Sequence, residues 1–195
     1  MSAWYAPLLG ALIGTLGGAV YWLGAQIWPS NVALMVSMTA TLWTVGFRNA
    51  SAATRGDLLS RMFCLLIKYN ALMALSAAKL PFAVQDNIAL GLIMICGHAA
   101  SFALAVSVMA IRPQDSAARI SNGSSSLALL IGCAPAALLG IPGLIGLAAA
   151  IGVGLGFVAY LKFGHSAGSS DALDRVRQFS EAGFYLGALA AWSYV

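Results

Sequence analysis

Few side chains in this sequence can do chemistry, and they stand in unusual places. Lys68 follows Leu65, Leu66 and Ile67, His98 lies in CGHAASFALAVS, and Glu181 opens the apolar run to the end of the chain. A charge within hydrocarbon is costly and faces either a cavity or a partner. For Lys68 the choice is between a side chain that snorkels to the interface and one that faces a phosphate. His98 reads as a neutral imidazole bonded to a neighbouring helix, or as a substrate or proton group. Glu181, near a helix start, gains from the helix dipole, with Arg175 or Arg177 as its pairing cation. The polar stretch TVGFRNASAATRGDLLSR, residues 44–61, adds Arg48, Arg55, Asp57 and Arg61. Either it is a reacting loop, or it is a solvated turn whose arginines fix topology and whose Asp57 caps the next helix.

What positions these groups follows from composition. Of 195 residues, 61% are hydrophobic and 8% are charged, against about 25% charged in soluble domains. With a mean hydropathy of +0.87, the chain reads as an integral membrane protein. Its first apolar run is long enough to span and no basic segment precedes it, so a retained N-terminus is expected rather than a cleaved signal. The net charge of +4 comes from basic residues scattered among helix ends, which points to orientation by the positive-inside rule and not to nucleic acid. Cys64, Cys96 and Cys133 sit singly in apolar runs and share no metal or redox spacing. The GVGLG segment has no preceding strand, so its glycines, like those of the first span, read as close-packing positions and not as a nucleotide loop.

Spanning about 30 Å of hydrocarbon takes about 20 helical residues. Six or seven spans result: 6–27, 32–47, 62–80, 88–111, 127–139, 141–163 and 179–195. The fifth is short, contains Pro135 and abuts Gly140 and Pro142, so a broken or re-entrant segment is an alternative there. Threading seven spans puts Arg48, Arg55, Arg61, Arg112, Arg119, Lys162, Arg175 and Arg177 on one side, which the charge rule makes cytoplasmic. The expected architecture is an all-α, polytopic helix bundle forming a single transmembrane domain over 1–195. Its cytoplasmic loops fall near 48–61, 112–126 and 162–178.

Two segments carry a resemblance. WYAPLLGALIGTLGGAVYWLGAQIWPSNVALMVSMTATLWTVGF resembles the opening helices of the cobalamin 5'-phosphate synthase family, the adenosylcobinamide-GDP ribazoletransferases. FGHSAGSSDALDRVRQFSEAGFYLGALAAWS resembles that family's ending, a T-G-D-x-L-G loop followed by a helix with a glutamate, and GHAASFALAVSVMA agrees more loosely. The family loop after the second helix reads approximately H-x-D-G-L-A-D-x-x-D-G. Here FRNASAATRGDL puts Arg48, Ala50 and Thr54 at its histidine and first two aspartates, and keeps the third as Asp57. In the ending, Asp171 and Glu181 match the aspartate and glutamate, while Ser169 and Ser170 replace the Thr and Gly. His98 matches a family histidine, and Phe102 stands where an arginine is usual.

The resemblance implies that α-ribazole 5'-phosphate is joined to adenosylcobinamide-GDP with release of GMP, at the cytoplasmic face of a bacterial inner (plasma) membrane. Such a step rests on positioning and charge neutralisation around a hard cation. It therefore implies magnesium on Asp57 and Asp171, with Arg48, Arg55, Arg61, Lys68, His98 and Glu181 toward corrinoid and nucleotide-linked substrates. With two aspartates of the loop replaced, a catalytically silent relative that binds a corrinoid intermediate, or that pairs as a homo-oligomer or with a partner subunit, is the alternative. A small transporter is suggested only by broken helices and intramembrane polar groups.

Overall fold

The computed structural model describes residues 3–46, 55–78, 86–111, 122–163 and 170–193. They form a short 3-10 turn, Ala3–Tyr5, and seven α-helices: α1 (Ala6–Gly24), α2 (Ser30–Gly46), α3 (Arg55–Ala77), α4 (Asp86–Ile111), α5 (Asn122–Leu138), α6 (Ile141–Phe163) and α7 (Ser170–Ser193). Among the described residues there is no strand, and the expected all-α membrane bundle is what the chain forms. Three segments, Ala6–Gly24, Asn87–Ala110 and Ile141–Tyr160, are long and apolar enough by themselves to cross a membrane.

The helix ends follow local chemistry. Pro7 sits in the first turn of α1, where no backbone N–H is needed. Pro29 precedes α2, and its carbonyl accepts from the N–H groups of Val32 and Ala33 at 3.0 and 3.1 Å. The fifth segment is one continuous helix that carries Pro135 in its interior, not a broken one. It stops at Gly140, whose φ of +68° is the left-handed conformation that only glycine adopts cheaply. Three helices reach into the expected loops: α3 begins at Arg55, α5 at Asn122 and α7 at Ser170. Residues 48–54, 112–121 and 164–169 of those loops lie outside the described part.

α4 is the axis of the bundle. Ala89, Leu90, Ile93, Met94, Cys96, Ala99, Ala100 and Ala103 are all buried along it, and it packs against α1, α5 and α7. α1 approaches it closely through glycines one turn apart. A Cβ on Gly10, Gly14 or Gly18 would lie 2.6, 2.5 or 2.9 Å from backbone atoms of His98, Ile95 and Gly91 respectively. This is the small-residue contact that lets membrane helices gain dispersion and hydrogen bonding where no hydrophobic force separates helix from lipid. α2 is tied to the same helix by Ser37, whose hydroxyl donates to the Gly17 carbonyl at 2.7 Å.

The outside of the bundle is apolar, as the bilayer requires. Leu12, Ile27, Leu138 and Ile141 are widely exposed, while Trp4, Tyr5, Trp22, Trp28, Trp43 and Tyr160 are exposed near helix ends, where interfacial aromatics sit. A set of polar and charged side chains is inside: Ser37, Lys68, His98, Ser101, Arg177, Ser180 and Glu181 are buried.

Candidate functional site

α3, α4 and α7 meet at one level and bring the intramembrane polar residues together. Lys68 Nζ donates to Glu181 Oε2 at 2.8 Å. His98 Nδ1 lies 3.4 Å from the same oxygen, and Tyr185 Oη donates to the other oxygen, Oε1, at 3.1 Å. At 1.5 Å rise per residue, the three charged or titratable groups lie roughly 17–20 Å along their helices from the ends at Arg55, Ile111 and Ser170.

Local sequence explains the arrangement. Glu181 and Tyr185 are four residues apart, one turn on the same face of α7. Gly97 makes room for the tyrosine, since a Cβ there would lie 2.5 Å from a Tyr185 ring carbon. The neighbouring His98 is thereby set beside Glu181. Lys68 and Cys64 share one face of α3, and both touch α7: Cys64 Sγ donates to the Gln178 carbonyl at 3.0 Å. The pairs 64–178 and 68–181 advance together, so α3 and α7 run parallel.

These groups line a cavity of about 40 Å³ between α2, α3, α4 and α7. Its apolar walls include Met38, Leu65, Leu72 and Met94, and its polar side is Thr41, Lys68, His98, Arg177, Glu181 and Tyr185. At roughly 10–15 Å³ per water, the space holds a few waters. Arg177, one turn before Glu181, is itself buried. It pairs with Asp174 at 3.4 Å and stands 4.8 Å over the Phe102 ring.

Several sequence expectations change here. Neither Arg175 nor Arg177 is the direct partner of Glu181; Lys68 of α3 is, because α3 and α7 pack side by side while Arg177 turns to Asp174. Glu181 is also no first-turn acid, since α7 starts eleven residues earlier, at Ser170. Lys68 does not snorkel: it is buried and ends on a carboxylate. Arg61 lies on α3, half-buried and within electrostatic reach of Arg177. Arg48 lies outside the described residues, and only the backbone is described for Arg55 and Asp57, which open α3, and for Asp171, which opens α7. Among the described residues no three His, Cys, Asp or Glu side chains group as a metal site.

Tyr185 enters the site without having been singled out from sequence, and Arg177, expected there as a partner of Glu181, lines the cavity while pairing with Asp174. The signal for Tyr185 was its spacing of four from Glu181. For Lys68 and Glu181 it was that two opposite charges in hydrocarbon must find each other.

No family model matches the chain, and no solved structure matches it. The chain is similar to the adenosylcobinamide-GDP ribazoletransferase of Leptothrix cholodnii, at 30% identity over 226 aligned residues that cover 97% of this chain and 84% of the relative. The alignment is longer than the 195 residues of this chain, so the relative carries segments that are absent here. With that identity sustained across nearly its whole length, the chain belongs to the adenosylcobinamide-GDP ribazoletransferase family.

Proposed function

We propose that this protein acts in cobalamin synthesis by joining α-ribazole 5'-phosphate to adenosylcobinamide-GDP and releasing GMP. A ribazole hydroxyl oxygen forms the new bond to the cobinamide-linked phosphorus as the bond from that phosphorus to GMP breaks. The observation that carries the reading is the 30% identity to a ribazoletransferase over 97% of the chain. The buried polar cavity supports it, because a step dominated by positioning and charge neutralisation needs cations held out of bulk water. In this reading Arg61 and Arg177 meet phosphate nearer the start of α3 and α7, and Lys68 and His98 meet it deeper. Arg48 and Arg55 act at the cytoplasmic surface of the inner membrane.

In this reading magnesium belongs at the ends of the same two helices. Extending the Cys64–Gln178 pairing by two turns toward the start of the parallel α3 and α7 arrives at Asp57 and Asp171 together. These are the residues that would hold the ion, and a site with two carboxylates leaves it several waters. Bound there, it would neutralise phosphate charge.

The loop FRNASAATRGDL, with two carboxylates fewer than the family motif, favours a second reading: a relative that binds the corrinoid intermediate without turnover, alone or beside an active subunit. GMP release by the purified full chain in nanodiscs, with and without magnesium, separates the two. Magnesium-dependent release above a protein-free control is expected. Release no greater than that control removes the transferase reading.

A further inference from the structure

The Glu181 carboxylate is surrounded as a bound anion would be. One oxygen takes the Lys68 ammonium at 2.8 Å and faces His98 Nδ1 at 3.4 Å, and the other takes the Tyr185 hydroxyl at 3.1 Å. The donors come from α3, α4 and α7. Met38, Leu65, Leu72 and Met94 wall them in, so each charge–charge contact is stronger than it would be in water. The other acids of the described helices stand elsewhere: Asp174 pairs with Arg177, and Asp57, Asp86 and Asp171 lie at helix ends. Among the described residues, Glu181 is the anion that Lys68 has.

We infer that Glu181 is a built-in stand-in for a phosphate-type anion, occupying the Lys68 seat until a soluble diphosphate-bearing ligand takes the lysine from it. This rests on the transferase reading for the class of ligand. A phosphate oxygen cluster carries more charge than one carboxylate and so outcompetes it for the ammonium, whose long stem and three rotatable donors let it change partner. On exchange, Glu181 keeps only Tyr185 and His98, and the cost of its lost ammonium contact is offset by the stronger phosphate–ammonium one. The few-water cavity beside Lys68 is where the incoming oxygens enter. Without ligand, the internal pair avoids the cost of an unpaired buried charge and holds α3 against α7. Tyr185 is accordingly a positioning residue, acting through Glu181.

A purely structural ion pair would have the same distances but a different response to anions. The test is the melting temperature of the full chain in a lipid-free, uncharged detergent, titrated with pyrophosphate, for the wild type and for Glu181→Gln, Glu181→Asp and Lys68→Met/Glu181→Gln. With its stand-in gone, Glu181→Gln is expected to melt lower without anion, to be rescued by pyrophosphate, and to bind it at least about tenfold more tightly than the wild type. Glu181→Asp keeps the charge and the fold but draws the carboxylate back, and is expected to fall between the two. The double variant is expected to show no response. If Glu181→Asp binds pyrophosphate no better than the wild type, or Glu181→Gln is rescued no more than the double variant, the pair is structural and the inference fails. A response to phosphatidate but not to pyrophosphate overturns the assignment to a soluble diphosphate. GMP release by a wild type whose Glu181 variants show no anion gain sinks the inference and leaves the transferase reading. Anion gain in a protein that releases no GMP does the reverse.

Discussion

Gly14 supplies a sharp test of how α1 is seated on the central helix. A methyl group at this position would lie 2.5 Å from Ile95 Cα, 2.8 Å from the Met94 carbonyl oxygen and 2.9 Å from Ile95 N. All three are backbone atoms, so no rotamer change relieves the overlap. Reaching ordinary carbon contact at about 3.5 Å requires α1 and α4 to part by about 1 Å. Because the glycines form a row, that separation also loosens the contacts at Gly10 and Gly18. Overpacking of this kind costs about 1–3 kcal/mol. Gly→Ala in a helix also gains up to about 1 kcal/mol from propensity, and an internal control removes this term. Gly156 lies in α6 with nothing within 4 Å of its added Cβ, so Gly156→Ala receives the propensity gain alone. The difference between Gly14→Ala and Gly156→Ala is therefore the packing cost, about 1–3 kcal/mol. Reversible unfolding in mixed micelles, followed by tryptophan fluorescence, measures it. A Gly14→Ala protein as stable as Gly156→Ala would refute the close α1–α4 packing. Gly17→Ala should fall between them, because its new methyl would meet Thr41 and Met94 side-chain atoms at 2.7 and 2.8 Å, and these can move.

Three further outcomes are expected. Lys68→Met leaves the Glu181 carboxylate buried beside only His98 and Tyr185, and should lower stability by about 3 kcal/mol while weakening binding of phosphate-bearing ligands. Melting like the wild type would show that the pair contributes nothing. Asp57→Asn and Asp171→Asn should each abolish magnesium-dependent ligand binding, with the double change adding little; intact magnesium dependence in either single variant rules out a shared site. With the native cysteines replaced, Arg119→Cys should react in intact cells only with membrane-permeant thiol reagents, and labelling by an impermeant one would reverse the orientation.

Gly10 connects helix packing to the site. Its absent side chain leaves room for the His98 carbonyl oxygen and the Phe102 ring, which a Cβ would approach to 2.6 and 2.9 Å. Phe102 in turn lies under Arg177. The cavity's polar wall is thus backed by the same close α1–α4 contact that holds the bundle together. At Phe102 the chain presents an aromatic face to the Arg177 cation.

The sequence by itself determined the class of fold. Apolar runs of spanning length, scarce charge and Pro/Gly-marked ends leave a chain in hydrocarbon no choice but helices, because every backbone group must be satisfied within its own segment. It also marked Lys68, His98 and Glu181 as unusual, since charge and polarity are expensive at their positions whatever the packing. It did not decide their partners. Arg175 and Arg177 are nearer to Glu181 along the chain, yet the carboxylate binds Lys68, 113 residues away. That choice belongs to the parallel docking of α3 on α7, which no local pattern encodes. The sequence likewise left Pro135 as a break or a continuation, whereas α5 runs through it as one helix packed against α4 and α6. Tyr185 looked like one more aromatic in an apolar run until Gly97, on another helix, gave its ring a place from which the hydroxyl reaches Glu181. Local composition fixes which segments enter the membrane; which side chains then share a buried site depends on helix register across the bundle, a property of pairs of segments distant in sequence.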